Sequence, residues 1–367
     1  MKKIYLDAPR VGATEKKYVN EAIDSGYVSS VGTFVKTFED TLAHRLGSPY
    51  GVATQSGTAA LHISLHELGI GPGDEVIVPA LTFIATVNPV MYCGATPVFV
   101  DVDPKTWNID PKEIRKNITE RTKAIIPVHL YGNPCAMDEI MDIAKENDLF
   151  VVEDATEALG ATYKGAHVGT FGDFGCFSFN GNKTMTTASG GMVVSAQEKR
   201  SRHIRCLVNQ ARDLEGDHYY SEIGFNYRMT NIQAALGLAQ MESFEQFLQQ
   251  KKAFNDIYRR RLSSLGSIVF QEAYPQTQPS FWLTCALFDA ETDVQETQKQ
   301  LELAGIQSRR IFMPVTSFPP YQRFAKAEYA VAQEIYERGL CLPSSTLNTN
   351  EDIEYVCEIL KKAKVST

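Results

Sequence analysis

The sequence predicts an α/β fold, a mostly parallel central sheet followed by a smaller α+β domain. Three observations carry this. From residue 50 onward short apolar runs alternate with helical stretches. The runs are apolar throughout, which is how strands covered on both faces read. After Tyr227 the texture changes to a strongly apolar helix, a long polar helix and mixed elements. We place the boundary near residue 245, giving a large domain over 1–245 and a small C-terminal domain over 246–367. The 367 residues are enough for two such units.

Taken in order, Thr14 is placed to cap a helix over 15–25 and Thr33 one over 34–46, with a loop at 26–32 between them. Strand-like runs follow at 51–54, 75–79, 97–100, 124–128, 150–153, 176–179 and 192–195. Helical stretches fit between them at 58–68, 82–92, 111–118 and 137–147. Beyond residue 230 come an apolar helix to 241, a polar helix through about 265, a strand over 281–288 and helices near 294–304, 327–339 and from 351. The chain contains no internal repeat and no low-complexity segment.

Composition narrows the function classes. A net charge of −8 argues against nucleic acid or an anionic membrane as partner, while leaving room for a local basic pocket. Seven scattered cysteines lack metal-type spacing and read as reduced thiols, so no metal is expected. The start is too quickly polar for a signal peptide, and no apolar run approaches a membrane span. A soluble, cytoplasmic protein is the expectation.

Four features converge on one chemistry. Lys183 follows the turn-prone Asn180, Gly181 and Asn182 between two apolar runs. Alone it reads as a surface charge at a hairpin tip, although charges are seldom buried without a partner or a task. Asp154 ends an apolar run, either capping the next segment or standing at the carboxyl end of a strand, where open α/β sheets bind ligands. Ser56, Gly57 and Thr58 join a strand to a helix and make either an ordinary cap or a phosphate cradle. Phe83 is either a core residue or a plate for a planar ring. As a set, these residues suit pyridoxal 5′-phosphate (PLP). The lysine supplies the Schiff base, and the carboxylate keeps the pyridine nitrogen protonated so that the ring can accept electrons. Burial near the cationic ring helps Lys183 shed its own proton.

The chain resembles the DegT/StrS family of sugar-nucleotide aminotransferases, fold-type I PLP enzymes with an aspartate-aminotransferase-like architecture. The matching blocks are 56–61, 73–79, 82–86, 129–132, Glu153 and Asp154 with Glu157, 168–173, 177–179 with Lys183, and 224–231. The resemblance implies that Gly57, Thr58 and Ser178 hold the cofactor phosphate, Phe83 stacks on the ring, Asp154 pairs with its nitrogen and Glu157 faces its oxygen. It implies that Asn226 reaches the neighbouring subunit's phosphate, hence a homodimer with shared active sites. Arg228 from the partner subunit, with Arg309 or Arg310, are the substrate-binding candidates for phosphates or a donor carboxylate, surface ion pairing being the alternative for each.

The implied reaction moves an amino group from L-glutamate to C4 of a nucleotide-linked 4-keto-6-deoxy sugar in surface-glycan biosynthesis, with Lys183 shuttling the proton. The stretch 180–183 with 210–213 is similar to enzymes acting on UDP-4-keto-6-deoxy-GlcNAc, and GDP-perosamine synthase is the alternative. Outside this class stand a non-catalytic PLP-bound regulatory protein and the dehydratases of the same fold, which replace the lysine by histidine. Two departures stand out. Ala188 and Ser189 occupy positions where the family often has glycine and glutamate, and the stretch 309–316 lacks the family's histidine.

Overall fold

The strands of the larger sheet are buried from both sides, and their side chains divide between two cores. In the strand Glu75–Pro79, Ile77 joins one apolar cluster while Val76 and Val78 join the other. Val98 and Val100 against Phe99, and Val151 against Val152, divide the same way. Each such fully buried aliphatic contributes about 1.5–3 kcal/mol. The computed structural model describes residues 2–212 and 219–365. Among them the larger sheet has seven strands, in the order Tyr50–Thr54, Gly191–Ser195, Phe174–Ser178, Phe150–Asp154, Thr122–Ile125, Glu75–Pro79, Thr96–Val100. All run parallel except Gly191–Ser195, which is antiparallel to both neighbours because the short segment carrying Lys183 returns it as a hairpin.

Helices Thr33–Leu46 and Met137–Glu146 cover one face of this sheet, and Gly57–Glu67 and Glu198–Leu207 the other. Several expected ends shift for local reasons. The first helix is Ala13–Asp24, started by Gly12, whose N–H is taken by the Glu15 carboxylate at 2.7 Å, and not by Thr14. The second starts at Thr33 behind Gly32, which has φ 150° and faces the Asn231 carboxamide so closely that a Cβ would sit 2.3 Å from it. Asn231 also accepts from the Phe34 N–H and donates to the Tyr27 carbonyl, pinning the loop over 26–32. The helix expected over 82–92 is broken into a turn at Ile84–Thr86 and a short helix Asn88–Tyr92, with Pro89 in the first turn of the latter.

A second, antiparallel sheet orders Ile268–Phe270, Thr284–Phe288, Gly339–Leu342 and Arg309–Arg310. Only Thr284–Phe288 was expected as a strand, and it starts three residues late because Phe281 holds a left-handed φ of 51°. The residues at the other end of the chain join this sheet: Ile4 pairs with Ile306, and the Ser344 N–H donates to the Leu6 carbonyl at 2.8 Å. The helix Phe244–Leu262 spans both units, Phe244 packing with the larger sheet and Phe254, Tyr258 and Leu262 with the smaller. A further apolar cluster joins Leu81, Tyr131, Trp282, Ile311 and Cys341 where the two sheets meet. Among the described residues no helix is long and apolar enough to cross a membrane, and no disulfide joins the cysteines.

Candidate active site

The carboxyl ends of neighbouring strands deliver the first wall of the site. Asp154 closes the strand Phe150–Asp154 and is 2 % exposed. One of its oxygens accepts from the Thr86 hydroxyl at 2.7 Å, and Thr86 is itself 2.8 Å from the Thr82 hydroxyl. The other accepts from the Thr156 N–H at 3.1 Å and the Thr156 hydroxyl at 2.6 Å. No helix begins there, so Asp154 caps none; its bonds hold the carboxylate in one orientation. Behind it, the buried Glu153 accepts from the N–H groups of Gly169, Phe171 and Gly172. His129 completes this brace. Its Nδ1 accepts from the Cys135 N–H, so Nε2 carries the proton and donates to Glu153 at 3.1 Å.

Across the next strand, Gly57 opens the helix Gly57–Glu67. The Ser56 hydroxyl caps the Ala59 N–H, leaving the N–H groups of Gly57 and Thr58 with no acceptor inside the helix. A Cβ at Gly57 would lie 2.8 Å from Ser178 Cβ and 3.0 Å from Thr156 Cγ2. Glycine therefore lets the helix start approach Ser178 closely enough for one anion to meet both.

Lys183 lies in the hairpin after Ser178, its N–H bonded to the Asn180 carbonyl. It is not a surface charge at a hairpin tip: the side chain is only 14 % exposed. Its Nζ is 3.9 Å from Glu157 Oε1 and 3.9 Å from the centre of the Trp282 ring. Burial draws the amine below the ordinary lysine range, with Glu157 and Asp154 acting in the opposite direction. Burial likewise pushes Glu157 up to about 7, against the pull of Lys183 and of the Tyr131 N–H that bonds it at 2.8 Å. The hairpin also shows where the Ala188 departure falls. Ala188 has φ 66°, a left-handed backbone suited to glycine, held by its N–H to Thr186 Oγ1 and by the Ser189 hydroxyl to the Gln55 carbonyl.

The second wall comes from distant parts of the chain. Tyr131 stacks on Phe312 at 5.1 Å and on Trp282 at 6.2 Å, and Phe83 leans on Phe312 at 5.5 Å. The Trp282 Nε1–H donates to the Asn182 carbonyl at 2.7 Å. Asp7 accepts from Asn182 at 3.1 Å and pairs with Arg309 at 3.3 Å. The walls enclose a cavity of about 350 Å³.

Of the residues expected at the site, Gly57, Thr58, Phe83, Asp154, Glu157, Ser178, Lys183 and Arg309 line this cavity. Phe83 stands at its mouth, half exposed. Asn226, Arg228 and Arg310 do not line it. Arg310 points away, since adjacent residues of a strand face opposite sides; its guanidinium donates to the Tyr336 and Glu337 carbonyls and lies over the Tyr336 ring. Arg228 pairs its backbone with Thr54 and reaches Asn209, and Asn226 pairs with Asn209. Of the finer motif, Asn180 and Asn182 line the cavity, while Asp213 lies outside the described residues. Sequence reasoning missed Asp7, Thr86, Tyr131, Thr156, Trp282 and Phe312. Tyr131 lay inside a recognised block and Trp282 is one of two tryptophans; Asp7 carried no signal.

The donor set fits PLP: a helix start with two open N–H groups beside a serine, a fixed buried carboxylate, a buried lysine and aromatic plates. Comparison with known proteins points the same way. Residues 9–361 match the DegT/DnrJ/EryC1/StrS aminotransferase family. The chain is 41% identical to a GDP-perosamine synthase of Escherichia coli O157:H7 and 43% identical to one of Caulobacter vibrioides, each over 99% of both chains. The PLP form of Spr1654 from Streptococcus pneumoniae superposes with a TM-score of 0.95 at 28% identity, covering 100% of this chain and 99% of the other.

Proposed function

We propose that this chain, which belongs to the DegT/DnrJ/EryC1/StrS aminotransferase family and is a PLP-dependent sugar-nucleotide aminotransferase, aminates C4 of a GDP-linked 4-keto-6-deoxy sugar with L-glutamate as donor. The observation that carries the substrate is the end-to-end match to two enzymes named for GDP-perosamine. It favours that reading over the UDP-4-keto-6-deoxy-GlcNAc expected from 180–183 and 210–213.

When bound, PLP supplies the electron sink for the α-carbon chemistry. The chain's residues do the rest. The open N–H groups of Gly57 and Thr58, with the Ser178 hydroxyl, hold the phosphate at the positive end of the helix. Asp154, locked by Thr86 and Thr156, sits where a carboxylate keeps the pyridine nitrogen protonated. Lys183 would hold the cofactor covalently through Nζ and, once free, would carry a proton between the substrate carbon and the cofactor carbon as base and then acid. Its burial keeps more of the amine in the neutral, basic form at neutral pH. Glu157 lies within reach of that amine. Arg309, held by Asp7, offers a guanidinium to the donor carboxylate or the nucleotide phosphates. Asn226 and Arg228 lie off the cavity of their own chain, which suits residues serving a partner's site in a homodimer.

The test is a turnover panel with GDP-, UDP- and dTDP-linked 4-keto-6-deoxy sugars. The GDP sugar should be aminated fastest. A preference for the UDP sugar would reinstate the substrate expected from the sequence. No change in the PLP absorption band on adding glutamate would point instead to a non-catalytic, cofactor-bound protein.

A further inference from the structure

Lys251 is a charged side chain far from any surface. It lies in the helix Phe244–Leu262, is 4 % exposed, and has no carboxylate within ion-pair distance among the described residues. Its Nζ donates to two main-chain carbonyls, Trp282 at 3.0 Å and Ser344 at 2.8 Å. A smaller neutral donor could satisfy carbonyls without burying an ionisable amine, so a lysine here needs a reason.

The two carbonyls belong to the two parts of the cavity wall that come from distant sequence. Trp282 presents its ring to Lys183 and its Nε1–H to Asn182. Ser344 and Ser345 grip the opening segment of the chain on either side of Asp7: the Ser344 N–H bonds Leu6, and the Ser345 hydroxyl bonds Ala8 at 2.6 Å. Asp7 in turn holds Arg309 and Asn182. One buried amine thus stands behind both supports of the Lys183 hairpin.

We propose that Lys251 is a positioning residue for the reaction, tying Trp282 and the Asp7 segment together so that the indole face lies against the Lys183 nitrogen. The inference rests on Lys183 being the residue that holds PLP. An indole face attracts a cationic nitrogen, so the tie favours the protonated form of the Lys183 nitrogen. Burial and Arg309 act against that form, while Glu157, Asp154 and Asp7 act on the same nitrogen in its favour. Burial takes Lys251 itself down to about 7, with Asp7 acting in the opposite direction.

The experiment uses the full-length, PLP-loaded protein. Borohydride reduction followed by peptide mapping first locates the cofactor; attachment anywhere but Lys183 sinks the functional reading, independently of this inference. The pH titration of the PLP band is then compared in wild type, Lys251→Met and Arg259→Met. Arg259 is the control, because it hydrogen-bonds from the same helix to the Gln271 carbonyl and touches neither support. Lys251→Met should lower the midpoint by about one pH unit, and Arg259→Met should leave it in place. In a Trp107→Phe background Trp282 is the sole tryptophan, and Lys251→Met should shift its emission to the red. A midpoint and an emission both unchanged in Lys251→Met overturn the proposal. If that variant does not fold, Lys251→Gln, whose side chain is one bond shorter and cannot keep both carbonyls within hydrogen-bond distance, is judged by the same two readouts.

Discussion

The two walls of the cavity are built on opposite plans. Asp154 and Ser178 end adjacent strands of one sheet, Lys183 follows in the turn beyond, and Gly57 follows the strand two places along, so the sheet's own hydrogen-bond register places them. Asp7, Tyr131, Trp282 and the segment carrying Arg309 and Phe312 come from four separate stretches and meet only because the second sheet packs against the first. The first wall is thus set by local topology, and the second by domain docking. An arrangement of this kind lets the chemistry stay constant while the docked wall changes what is bound.

Breaking the first wall should have the largest effect. Lys183→Ala is expected to lower turnover by roughly a thousandfold, measured with pyridoxamine phosphate still bound. Co-expressed with Asn226→Ala chains at limiting PLP, it should recover part of the lost activity, because each mixed dimer keeps one intact site. No recovery would mean that Asn226 does not serve the partner.

The second wall should respond more gently and with sharper specificity. Arg309→Ala is expected to cost about 10–100-fold in kcat/KM, the range for losing a charged hydrogen bond. Its neighbour provides the contrast. Arg310→Ala should change kcat/KM by less than about threefold while lowering stability by ~1–2 kcal/mol, since its guanidinium satisfies the Tyr336 and Glu337 carbonyls. Equal kinetic losses for the two would refute the assignment of faces. The smallest effect is expected at the hairpin itself. Ala188→Gly relieves a left-handed alanine and should raise stability by about 0.5–1 kcal/mol, read as an increase in Tm.

Much of the first wall was legible in the sequence. Asp154 and the Gly57 turn follow apolar runs, and a strand's end can be read from where such a run stops. Lys183 was legible only together with them, since a hairpin lysine alone looks like any surface charge. The breaks were less readable. The split of the helix expected over 82–92 depends on Thr82 and Thr86 turning toward Asp154, a contact no local pattern announces. The late start of Thr284–Phe288 depends on a left-handed Phe281, a conformation imposed by packing and not by residue preference.

By itself, then, the sequence determined the α/β alternation, the cofactor and the residues that gather at the strand ends, because each of these depends on periodicity and on residues close to one another along a strand and its following turn. Only the tertiary structure decided that Arg309 and not Arg310 faces the cavity, that Trp282 lies against Lys183, and that Asp7 and Lys251 stand behind them. Those placements follow from strand alternation in a sheet only partly expected and from contacts across hundreds of residues. Their cause is the docking of one core on another, which leaves no local trace in the chain.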